Sequence, residues 1–67
     1  MSHAYDARLD SPFSKGDRVQ LHPALDAWMM GDHYGTVVFV GRKLVHVLCD
    51  RSNKVRKIHA LNLDHVN

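Results

Sequence analysis

The chain has 67 residues, 45% of them hydrophobic and 24% charged, with a formal net charge of +2. A chain of that length holds one domain and buries only about 60% of the surface it exposes when unfolded, so its core must be small and closely connected. The composition excludes a disordered chain, the lone Cys49 excludes an intramolecular disulfide, and no apolar run approaches the roughly 20 residues of a membrane helix.

The first ten residues, MSHAYDARLD, are polar and lack the apolar centre of a secretion signal. Residues 1–12 are therefore expected to form a flexible leader, and 13–67 the folded domain of a cytoplasmic protein. Phe13 is placed to tuck onto that domain. Lys15-Gly16-Asp17 is a turn signal, and Arg18-Val-Gln-Leu-His22 alternates apolar and polar residues as a half-buried strand does. Pro23 stops the ladder because it has no N–H to donate. Between Pro23 and Gly31 there is room for one helical turn within Ala24–Asp32, and no more.

Tyr34–Val40 is rich in β-branched and aromatic residues and predicts a second strand. Gly41-Arg42-Lys43 is a tight turn, Leu44–Cys49 a third strand, and Asp50-Arg51-Ser52-Asn53 a hairpin turn by composition. Lys54–His59 predicts a fourth strand. Ala60–Leu63 is a single short turn, and Asp64–Val66 a closing strand. Ile58 falls on the buried face most easily if a bulge lies near Arg56-Lys57. Cys49, at the end of an apolar run, reads as a small buried hydrophobe.

The predicted fold is all-β: five short strands, a long first loop and a short 3-10 turn before the last strand. So small a sheet escapes exposed edges most readily by curling up. In this order of elements the chain resembles the five-stranded SH3-like small barrel over roughly Phe13–Val66. Gly16-Asp17-Arg18-Val19 with Gly35-Thr36-Val37 is similar to the glycine and valine frame of KOW-type modules, which implies RNA or ribosome binding. Residues 19–41 contain no Lys or Arg, so the basic loop of those modules is missing. Gly16–Val19 and Leu61–Val66 also look like segments of the plasmid-encoded type II dihydrofolate reductases. Where those carry Val-Gln-Ile-Tyr, this chain has Val55-Arg56-Lys57-Ile58, so the reductase activity is not implied. A short polar leader before a minimal barrel is similar, too, to small phage and prophage proteins.

Charge is unevenly distributed. Residues 1–40 carry −2 and residues 41–60 carry +5. The six cations there, Arg42, Lys43, Arg51, Lys54, Arg56 and Lys57, suit phosphate contacts without strong sequence reading; they equally suit protection of strand edges. A stacking aromatic beside them, Phe39 or Tyr34, would strengthen the nucleic-acid reading. The other candidate surface is the first loop. One helical turn would aim Leu25, Trp28 and Met29 at the same place, as a plug for the core. Trp28, Met29, Met30 and Tyr34 could instead form a protein-interaction site, including one for a second copy of the chain.

Catalysis is not expected. The chain has no glutamate, its aspartates sit mainly in turn contexts, and its serines lie in the leader or a turn. Its six histidines show no metal-ligand spacing, so neither metal nor cofactor is expected. The expected function is a non-enzymatic binding module whose partner is a nucleic acid or a protein, with no small-molecule substrate and no membrane contact.

Overall fold

The computed structural model describes residues 12–66; the leader expected over 1–12 lies, apart from Pro12, outside the described residues. Five strands, β1 (Arg18–Leu21), β2 (Tyr34–Val40), β3 (Leu44–Cys49), β4 (Val55–His59) and β5 (Leu63–His65), form one antiparallel sheet in the order β4-β3-β2-β1-β5. A 3-10 turn at Ala60–Asn62 joins β4 to β5. The fold is therefore all-β. Among the described residues no ladder joins the edge strands β4 and β5, so pairing alone does not close the sheet.

Period-2 alternation divides the sheet into two faces. Val19 and Leu21 of β1, Val37 of β2, Val45, Val47 and Cys49 of β3, and Ile58 of β4 point inward and are buried, and Phe13, Ala27 and Leu63 complete the core. Cys49 is fully enclosed, as its apolar run predicts. The β3–β4 register runs without interruption from Leu44↔His59 to Leu48↔Val55. The bulge expected near Arg56-Lys57 is absent from that ladder. The irregularity lies in β2, between Val37 and Phe39. Ile58 is buried by simple alternation, which sends Arg56 inward as well.

The long connection between β1 and β2 folds back as a flap containing one helical turn, α1 (Asp26–Met29). Leu25 and Trp28 pack against the core and Ala27 enters it. Met29 does not join them: it is 84% exposed. The reason is that Leu25 is the N-cap, in an extended conformation with ψ 145°. The i, i+4 geometry that would bring Leu25 and Met29 together is therefore never formed. In a single turn, Met29 points nearly opposite to the buried Ala27.

Gly35 sets the closeness of β2 and β3. A Cβ there would lie 2.5 Å from Val47 Cγ1 and 2.6 Å from the Leu48 carbonyl oxygen, which is main chain and cannot swing away. Gly35→Ala should thus destabilise the domain by about 1–3 kcal/mol, read as a lower urea midpoint with an unchanged slope.

Candidate functional site

The cations do not form one ribbon. Arg42 and Lys43 occupy the β2–β3 turn, while Arg51 and Lys54 lie in the β3–β4 connection, at opposite ends of β3. Six residues of strand, about 20 Å, separate the two groups. That exceeds the screening length of about 8 Å at physiological salt, so they act as two patches. Lys57 sits between them on the outer face, opposite His46. Arg51 lies across Gly31, where an added Cβ would meet its Nε at 2.7 Å.

Arg56 belongs to a different structure. It points inward, and its Nε donates to Asp32 Oδ2 at 2.7 Å. Asp32 ends the flap, and its side chain is 1% exposed. It also accepts hydrogen bonds from the Ser52 N–H at 3.1 Å and the Ser52 hydroxyl at 2.9 Å. Burial alone would push this carboxyl up, but the Arg56 and Ser52 bonds outweigh it and hold the carboxyl below its ordinary range. Asp32 is thereby a bonded anion, with its oxygens occupied, and not a poised general base. Arg56 leaves the set of cations offered to phosphate.

The one carboxylate within the basic segment is also neutralised. Arg18 reaches from β1 to Asp50 with a two-pronged pair at 2.8 and 2.6 Å, and its Nη1 donates to Thr36 Oγ1 at 3.0 Å. The Arg18 bond holds the Asp50 carboxyl low. Among the described residues Arg42, Lys43, Arg51, Lys54 and Lys57 have no carboxylate partner.

The outer face carries a row that crosses three strands. Phe39 pairs with His46, and His46 with Lys57. The Phe39 and His46 rings lie with centroids 4.9 Å apart, and Phe39 is 56% exposed. Simple alternation from the buried Val37 would place Phe39 inside. The β2 bulge inserts one residue and turns it outward. His46 was legible as outward-facing because Val45 and Val47 flank it; Phe39's side depends on the bulge, which leaves no clear mark in the sequence.

The proposed protein-interaction residues separate. Trp28 is half-buried, and its ring stacks on His33 at 3.7 Å with 14° between planes. His33 Nε2 lies 3.1 Å from the Trp28 carbonyl, to which it donates. Met29, Met30 and Tyr34 are exposed. Cys49 is enclosed, and burial pushes its thiol up, which disfavours the reactive thiolate. Comparison with known proteins yields no similarity: no family model, curated protein or solved structure matches this chain.

Removal of the Asp32 carboxylate leaves Arg56 and Ser52 facing the interior without their acceptor. Asp32→Ala should cost roughly 3 kcal/mol or more, measured by urea unfolding at pH 7. Because its folded pKa is depressed, the stability that the ionised carboxylate contributes is present above the ordinary carboxylate range. It is lost as pH falls through the lowered value. Asp32→Asn should therefore flatten the decline in stability below about pH 4.

Proposed function

We propose that the chain is a non-enzymatic module that binds single-stranded nucleic acid on the outer face of β2, β3 and β4. The observation that carries this reading is the Phe39–His46–Lys57 row, exposed between two cationic turns. Bases stack on Phe39 and His46, while the phosphates run between Arg42 and Lys43 at one end and Arg51 and Lys54 at the other. Stacking is tolerant of sequence, because every base has a π-face. A duplex hides those faces, so its binding would reduce to phosphate contacts.

The strand order, the long first loop and the 3-10 turn before β5 support reading the architecture as an SH3-like barrel. In that reading the flap, with Leu25, Ala27 and Trp28, covers the gap that the ladder leaves open. Such a module keeps its outer skin for recognition.

Anisotropy of a fluorescein-labelled octamer of thymidylate should report binding at low salt. Up to five phosphates neutralised correspond to a slope of log K against log salt of at most about −3.5. Phe39→Ala should weaken binding about tenfold, since one base–aromatic stack is worth about 1–3 kcal/mol. A flat salt response, or no binding at low salt, overturns the reading.

A second reading rests on the exposed flap tip, where Met29 and Met30 are 84% and 67% exposed side by side. Adjacent methionines of this kind make an adaptable protein contact, including one with a second copy. Light scattering at rising concentration tests the self-associating form: Met30→Asp should abolish any growth in mass without altering the unfolding midpoint.

A further inference from the structure

The sheet has one edge whose surroundings are shaped for a particular guest. Among the described residues β4 pairs with β3 alone. The Cys49 N–H donates to the Lys54 carbonyl at 2.9 Å, so hydrogen-bonded pairs recur at every second position, Val47 with Arg56 and Val45 with Ile58. The main-chain groups of Val55 and Lys57 therefore point away from β3, toward the free edge. Along that edge runs an open groove of about 510 Å³, between residues 25–27 of the flap and residues 55–58 of β4. Its lining is apolar at Leu25, Ala27, Val55 and Ile58; Arg56 is matched by Asp32, Lys57 is the lining cation without a carboxylate partner, and Asp26 is the one lining carboxylate.

Arg56 borders the groove from the inner side. Its Nε is held by Asp32, and its carbon stem lies along the wall that β4 gives the groove.

We propose that this groove receives an extended acidic segment of a partner protein, which adds to β4 as a sixth strand. The main-chain ladder supplies affinity, as in other strand additions; carboxylates at alternate positions meet Lys57 on the outer side, and the intervening apolar side chains enter the groove. Charge decides the occupant. A second copy pairing edge to edge would bring the Lys57 side chains of the two β4 strands, and the Lys54 side chains just before them, close together, and like charges across strands repel. The lysines thus bar the chain from its own kind and leave the edge open to an acidic strand. A nucleic acid, with no strand-spaced N–H and C=O groups, leaves that ladder unused. This site shares Lys57 with the Phe39–His46–Lys57 row, but its main-chain edge and groove do not depend on the nucleic-acid reading.

The probe is an acetylated and amidated peptide, Ser-Asp-Val-Asp-Val-Asp-Ser, labelled with fluorescein and titrated into the full chain. Two controls keep the protein unchanged: the same peptide with Asn for Asp, and two forms N-methylated at alternate residues. The Asn peptide should bind about tenfold more weakly or worse, as loss of charge-assisted hydrogen bonds implies. One N-methylated register should lose binding and the other keep it. Amide exchange followed by NMR should slow at Val55 and Lys57 when the peptide is present. Lys57→Glu should weaken binding of the Asp peptide and spare that of the Asn peptide. Equal affinity for both N-methylated forms, or unchanged exchange at Val55 and Lys57, overturns the proposal. So does protection of those same amides by the thymidylate octamer in place of the peptide.

Discussion

A carboxylate with almost no exposed surface holds together two parts of the chain that share no ladder. Asp32 ends the flap, while Ser52 and Arg56 belong to the β3–β4 turn and to β4. Taking that charge out of water is costly, and the structure offsets the cost with three hydrogen bonds to one side chain. Inside the flap, the Trp28–His33 stack and the bonds from His33 Nε2 and the Asp32 N–H back to α1 brace its shape, but α1 is a single turn without a side-chain cap, and a turn so short has no stability of its own. Leu25, Ala27 and Trp28 provide apolar contact, but such contact is not directional. The Asp32 bonds set where the flap stops, and hence which part of the core it covers and how wide the groove along β4 remains.

The same pairings sort the charges into those that build the protein and those that face outward. Arg56 is matched inside by Asp32, and Asp50 is matched by Arg18 across the sheet. Both members of each pair come from distant stretches of sequence, so the uneven charge read along the chain is redistributed in space. Five cations of residues 41–60 stay without a carboxylate partner among the described residues, and they lie on or beside the outer face. The bulge in β2 adds the aromatic to that face by turning Phe39 outward. One inserted residue thus decides whether the exposed surface is merely basic or offers a ring for stacking.

Much of this was legible in the sequence, and the divisions are physical. β2 and β3 begin and end where the predicted strands do, because β-branched runs bounded by Gly41 and by Asp50-Arg51 leave little freedom. β1 and β4 are each one residue shorter than expected, at His22 and Lys54, and β5 starts at Leu63 in place of Asp64. What local pattern could not supply was anything set by partners far along the chain. Arg56 looked like one cation among six, since its acceptor lies 24 residues earlier. Met29 looked like part of the plug, because the spacing assumed a helix that Leu25 does not join. Phe39's direction hung on a bulge that the alternation of Tyr34–Val40 does not mark.

Lysines beside an open strand edge admit two explanations that are usually set against each other, protection and recognition. In this chain they are one device seen from two sides. An edge guarded by cations repels any strand of like charge, the chain's own included, and the same field lowers the cost of approach for a strand that carries carboxylates. The surroundings of the edge tip the balance toward recognition. Protection needs only a cation beside the unpaired main chain. Here the outward-turned groups of Val55 and Lys57 also border a groove with apolar lining at Leu25, Ala27 and Ile58. An edge that is cationic on its outer side and apolar on its inner side suits a strand whose carboxylates and apolar residues alternate, a match that protection alone does not require.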